Sequence, residues 1–237
     1  MKTPIARNFS YRCAHSRSPD ICSICLRASR SEEDSEIDFK LVSNEDIYKS
    51  YPFEFEYHIR FKLVDTKINM SVAVTNHDNK DLFFALGGHP GFNIPLEKGE
   101  FTDYYLEFTD KSEPQGIYRS DTCYTTNKSF DIPVKDNKLA LKHNLFDRDA
   151  LLVEGLKDKI AIKNTVDNRE VIVEIPSEMK YVGIWHAPKT EAPYVCVEPW
   201  TSVPAYDGIV DDLETKRDMF IIKKDKTHTL DWSITVK

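Results

Sequence analysis

From Glu36 onward, apolar and polar residues alternate with the period of two that marks a half-buried β-strand. Ile37-Asp38-Phe39-Lys40-Leu41-Val42 shows this first, and 51–63 shows it longest, with aromatics at odd positions and charges or His58 at most even ones. Residues 67–76 give a third strand, and the short Val64-Asp65-Thr66 gap predicts an antiparallel hairpin between the second and third. Asn76 to Asp81 is a polar turn cluster, after which a strand runs toward Gly87. Further strands are predicted at 104–108, 118–126, 138–141, 159–163, 170–175, 181–186 and in the apolar run that ends at Glu198, with a turn at Glu113-Pro114-Gln115-Gly116. Residues 211–216 read as one helical turn, and 219–222 with 229–236 as a closing strand pair. There is no heptad, sustained helical stripe or internal repeat. Many short strands with regularly spaced turns predict an antiparallel sandwich.

Length fits this picture: 237 residues, 41% hydrophobic, suffice for one large domain over 31–237. Residues 1–30 differ. They carry Lys2, Arg7, Arg12, Arg17, Arg27 and Arg30 against Asp20 alone, and show neither strand alternation nor a helical stripe. This basic stretch reads as a targeting segment or a mis-assigned start, poorly packed or disordered. The overall charge of −7 argues against nucleic acid as a partner, and no apolar run reaches the roughly 20 residues of a membrane helix. Five cysteines without a secretory signal read as reduced thiols in a cytoplasmic protein. Cys22-x-x-Cys25 with Cys13 and His15 lacks the second paired half of a zinc site, and the histidines show no HxH spacing, so no metal is expected.

Two stretches carry the candidate chemistry. In Leu86-Gly87-Gly88-His89-Pro90-Gly91-Phe92, glycines permit close backbone approach and Pro90 holds His89 extended on a stiff turn. In Tyr194-Val195-Cys196-Val197-Glu198-Pro199-Trp200, a lone carboxylate ends an apolar run, a costly place for a charge without a partner or a role. Walker, GxGxxG, HExxH and GxSxG motifs are absent. A His–Glu pair performs acid–base chemistry without a metal, a carboxylate being a ready base and an imidazolium a ready acid near neutral pH. Asp149, entering Ala150-Leu151-Leu152-Val153, is a better ligand candidate than the solvated Asp147. Phe92, Trp185 and Trp200 suit the apolar face of a sugar ring but also suit a core. His143 and His186 are further ligand candidates, whereas His58 and His77 read as solvated, and Cys196 as a small core residue.

From about residue 36 to the C-terminus the chain resembles the aldose 1-epimerase (mutarotase) family, in particular its LacX-like branch. Gly87 to Phe92, Asp149 to Leu152, Gly183-Ile184-Trp185 and Cys196 to Trp200 carry the resemblance, in family order. It implies an all-β, antiparallel β-supersandwich that interconverts the anomers of a free aldohexose without a cofactor, as a monomer or homodimer. Glu198 would take the C1 hydroxyl proton, His89 would protonate the ring oxygen, and Asp149 and Trp185 would bind the sugar. Family members run longer at the N-terminus, where an HGFAR-like segment supplies a second histidine and an arginine. His15-Ser16-Arg17 does not match it, and no role is carried onto His15. Relative to the family the chain is therefore truncated, which would leave a sheet edge unpaired. It also leaves room for a second reading, a sugar-binding or regulatory protein without turnover. A third, a hexose-6-phosphate epimerase, calls for a cationic cluster that is not evident around His89 or Glu198.

Overall fold

The computed structural model describes residues 25–30, 34–109 and 114–237. Its strands run, in chain order, β1 (Cys25–Arg30), β2 (Asp34–Val42), β3 (Phe55–Val64), β4 (Lys67–Asn76), β5 (Leu82–Phe84), β6 (Gly91–Asn93), β7 (Tyr104–Phe108) and β8 (Gln115–Arg119). There follow β9 (Thr125–Asp131), β10 (Lys138–Ala140), β11 (Leu151–Glu154), β12 (Asp158–Asn164), β13 (Val171–Ile175), β14 (Tyr181–Trp185), β15 (Tyr194–Trp200), β16 (Phe220–Ile222) and β17 (Thr227–Val236). The α-helix α1 (Glu45–Ser50) and two one-turn 3-10 helices, Phe101–Asp103 and His143–Phe146, complete the elements. The named strand pairings are antiparallel, the arrangement in which strands with one buried and one solvated face are common. No helix among the described residues is long and apolar enough to cross a membrane.

The described residues form two compact units. One, from 25–84 and Met219–Thr235, holds the strand order β1-β2-β3-β4-β17 and the separate β5·β16 pair. Alternation along β4 puts Met70, Val72 and Val74 in the core, each worth about 1.5–3 kcal/mol when fully buried. Asp65, at φ 52, makes the tight β3–β4 turn that the short gap predicted. The predicted closing pair is corrected here: β16 pairs with β5, and β17 pairs with β4 from Thr227↔Thr75 to Thr235↔Lys67. Helix α1 escaped the pattern because Ile47 is its sole buried residue; Asn44 caps it, its Oδ1 accepting from the Asp46 and Ile47 amides at 3.1 and 2.9 Å. β1 lies within the stretch that showed no alternation, paired with β2 from Cys25↔Lys40 to Arg30↔Ser35. Residues 1–24 lie outside the described residues, as do the side chains of the Cys13, His15, Cys22 and Cys25 group. His58 is not freely solvated: its ring nitrogens meet Asp38 at 3.1 Å and Glu56 at 2.7 Å.

The other unit, Ala85–Asp218 with Val236–Lys237, carries all the candidate site residues. It contains the strand set β13-β12-β7-β10 and a six-stranded sheet ordered β6-β15-β14-β11-β8-β9. Register assigns the faces of the six-stranded sheet. Cys196 lies opposite Trp185, Glu198 opposite Gly183 and Trp200 opposite Tyr181, so these six share one face. The intervening Val195 and Val197 on β15, with Val182 and Ile184 on β14, take the other face and are fully buried or nearly so. The single strand expected at 118–126 is two: β8 and β9 form a hairpin through Ser120 to Tyr124, with Cys123 at φ 67. No Gly or Asn marks that turn, since a cysteine takes the left-handed position. The expected turn at Gln115-Gly116 is accordingly strand.

Candidate active site

Loop 86–91 binds β15 edgewise. The Leu86 carbonyl accepts from the Thr201 amide at 2.9 Å, the Gly88 amide donates to the Pro199 carbonyl at 2.9 Å, and the Val197 amide donates to the Pro90 carbonyl at 3.3 Å. His89 therefore sits between the bonds that flank Glu198, and its Nε2 lies 3.3 Å from Glu198 Oε1. The residues on either side explain the fit. A Cβ on Gly87 would stand 2.7 Å from Trp200 Cδ1, and one on Gly183 would stand 3.0 Å from Trp200 Cζ2 and 3.2 Å from Glu198 Oε2. Glycine at both positions lets the indole and the carboxyl occupy that space.

The two groups differ in environment. The Glu198 side chain is 4% exposed and that of His89 is 39% exposed, so the imidazole is the edge open to solvent. Burial, reinforced by the negative charge of Asp149, pushes the Glu198 carboxyl up to about 8; Arg119 and a hydrogen bond from Trp200 act the other way. Burial also lowers His89 below the usual imidazole value, partly offset by a backbone hydrogen bond. At neutral pH the carboxyl thus keeps a proton that an ordinary glutamate would have lost, and the ring is neutral. The shifts divide a single proton between two touching groups.

Asp149 stands beside this pair in a network of its own. It adopts φ 79, its Oδ1 accepts from Trp185 Nε1 at 2.8 Å, and its Oδ2 accepts from Arg119 Nη1 at 2.6 Å. Arg119 also donates from Nε and Nη2 to the Cys123 carbonyl at 3.3 and 3.0 Å, so one guanidinium ties the β8–β9 turn to Asp149. Trp185 meets the His89 ring edge-on, centroids 5.7 Å apart, and so links the network to the pair. Arg119 is the residue that sequence reasoning missed. Its signal was a lone Arg after Ile117-Tyr118, in a segment read as the start of a strand rather than the end of one.

Among the other candidates, Phe92 is buried. Trp200 lies on the site face, packed against a cluster of Ile117, Leu152, Tyr181 and Val203. His143 and His186 bond each other, Nδ1 to Nε2 at 3.1 Å; His186 is fully buried and donates from Nδ1 to the Ala187 carbonyl at 2.7 Å. Stacking of His143 on Phe101 at 4.0 Å completes a packed aromatic group. Cys196 is a buried free thiol, pushed up to about 12 chiefly by burial. Asp147 is exposed.

The antiparallel sheets, with almost no helix, match the galactose mutarotase-like β-sandwich. A galactose mutarotase related enzyme from Lactobacillus acidophilus superposes with a TM-score of 0.79 at 28% identity, covering 90% of this chain and 71% of that one. A galactose mutarotase-like protein from Lactobacillus casei ATCC 334 gives 0.80 at 25% identity, covering 90% and 73%. The chain belongs to the aldose 1-epimerase family, whose pattern matches residues 27–209. The chromosomal LacX protein of Lactococcus lactis subsp. lactis is 24% identical over 178 residues, 72% of this chain. The chain spans 58% of the length of that relative.

Proposed function

We propose that this chain is a cofactor-independent aldose 1-epimerase that interconverts the α and β anomers of an aldohexose. The observation that carries the reading is the 3.3 Å contact between His89 Nε2 and Glu198 Oε1 on one sheet face. Anomer exchange moves one proton off the C1 hydroxyl and one onto the ring oxygen, two oxygens bonded to the same carbon. An acid and a base that touch each other are spaced to serve such a pair at once. In the competent form the shared proton sits on His89. Glu198 accepts the C1 hydroxyl proton while His89 Nε2 protonates the ring oxygen, and the C1–O bond to the ring opens to an aldehyde. Rotation about C1–C2 and reclosure, with both proton transfers reversed, deliver the other anomer and restore the pair. Asp149 accepts hydrogen bonds from sugar hydroxyls, held in place by Arg119, while Trp185 presents an apolar face to the ring.

The mechanism needs one proton on the pair. Turnover therefore falls as pH rises past about 8, where Glu198 loses it, and also falls in acid below the lowered His89 value. The phosphosugar reading finds less support, because the cation beside the site, Arg119, is engaged by Asp149 and the Cys123 carbonyl. Sugar binding without turnover is the second reading, favoured by the burial of Glu198, which keeps its carboxyl protonated at neutral pH rather than free to act as a base. Polarimetry of freshly dissolved α-glucose and α-galactose separates the two. The wild type should speed the approach to equilibrium, and E198Q and H89A should each lose about 10²-fold or more while staying folded. A wild-type rate equal to buffer refutes the enzyme; near-wild-type rates in either variant refute that residue's role.

A further inference from the structure

Cys196 has no part in the mechanism above, yet it shares the site face. Residues two apart on a strand point the same way, so Cys196 and Glu198 stand side by side on β15. Each has a glycine across from it on one neighbouring strand: Gly91 of β6 lies opposite Cys196, which has Trp185 of β14 on its other side, and Gly183 of β14 lies opposite Glu198. His89 enters from loop 86–91 over the same spot. One ligand atom from each of His89, Cys196 and Glu198 lies within 4.8 Å of the others. A tetrahedral ion with bonds of about 2.0–2.3 Å sets its ligand atoms roughly 3.3–3.8 Å apart. The 3.3 Å His89–Glu198 distance already meets this, and the sulfur, within 4.8 Å of both, has at most about 1 Å to close.

We propose that His89 Nε2, Cys196 Sγ and a Glu198 oxygen form a site for a thiophilic divalent cation of the zinc class, and that such an ion shuts the acid–base pair. The donor set selects the metal, because one sulfur and one imidazole nitrogen suit zinc-like ions and disfavour magnesium or calcium. Charge balances: a thiolate, a carboxylate and a neutral imidazole around a divalent ion sum to zero, which suits a buried position. Binding replaces the S–H bond by a metal–sulfur bond and releases that proton, with any carboxyl proton, to solvent. His89, the exposed member, marks the entry side and leaves a fourth position for water. A bound ion takes the Glu198 and His89 atoms that would move protons and so excludes turnover. That consequence rests on the acid–base reading; the ion site does not.

Cobalt(II) added to the 237-residue chain, as a coloured stand-in for zinc, tests the site directly. The wild type should develop a thiolate-to-cobalt charge-transfer band with tetrahedral d–d absorption, and zinc should bleach both. The band should vanish in C196A and survive when Cys13, Cys22, Cys25 and Cys123 are all changed to serine. H89A and E198Q should weaken cobalt binding by about 10-fold or more, the scale on which even outer-shell partners act. A band that persists in C196A, or vanishes in the four-serine chain, overturns the assignment. In parallel, zinc should stop anomerisation by the wild type but not by C196A. Equal inhibition of both overturns the regulatory part. A wild type without turnover would refute the enzyme reading and leave the cobalt spectrum to decide the site.

Discussion

At the scale of single residues, Glu198 concentrates the tension in this fold. A carboxyl titrates near 4.5 in solvent and is pushed up to about 8 in its buried position beside Asp149. The folded state therefore holds a proton that the unfolded chain gives up between those values. For a group raised on folding, its stability is fully present below the ordinary value and is lost as pH rises through the folded one. Between pH 5 and pH 8 the wild type should lose on the order of a few kcal/mol from this residue. E198Q carries no such proton, so urea unfolding should show the variant gaining on the wild type across that interval. A constant difference between the two chains would place the carboxyl in a wetter setting than its 3% exposure describes.

At the scale of elements, the site is held by backbone proximity. Loop 86–91, β14 and β15 approach closely because Gly87 and Gly183 leave space for the Trp200 indole and the Glu198 carboxyl. G87A should cost about 1–3 kcal/mol by overpacking, seen as a lower urea midpoint. A midpoint equal to wild type would mean that the indole swings away freely. This level was only partly legible in the sequence. The GGHPG and CVEPW stretches stood out because a histidine next to glycines and a carboxylate inside an apolar run each break a local pattern. Period two gave β4, β7 and β13 almost residue for residue, and β2 from Glu36 onward. It could not give partners, so β16 and β17 were paired with each other rather than with β5 and β4. Arg119 stayed hidden because its role depends on a hairpin whose turn uses cysteine at the left-handed position, which no turn signal announces.

At the scale of the whole molecule, burial is uneven, and exchange with solvent should follow it. β7, β12, β13, β14 and β15 carry many of the fully buried side chains, including Leu106, Ile160, Val173, Ile184 and Val197. Segment 207–213 exposes Ile209, Val210 and Leu213. Amide hydrogen exchange should be slowest in those five strands and fastest in 207–213; uniform protection would contradict the packing described. The pairing of β4 with β17 joins residues far apart in the chain. Synthesis runs from the N-terminus, so the hydrogen-bonding edge of β4 must wait on the ribosome through more than 150 further residues, while 85–218, with the whole candidate site, emerges and collapses first. The nascent chain thus holds a sticky strand edge until β17 is made, an interval in which a holding chaperone has something to grip.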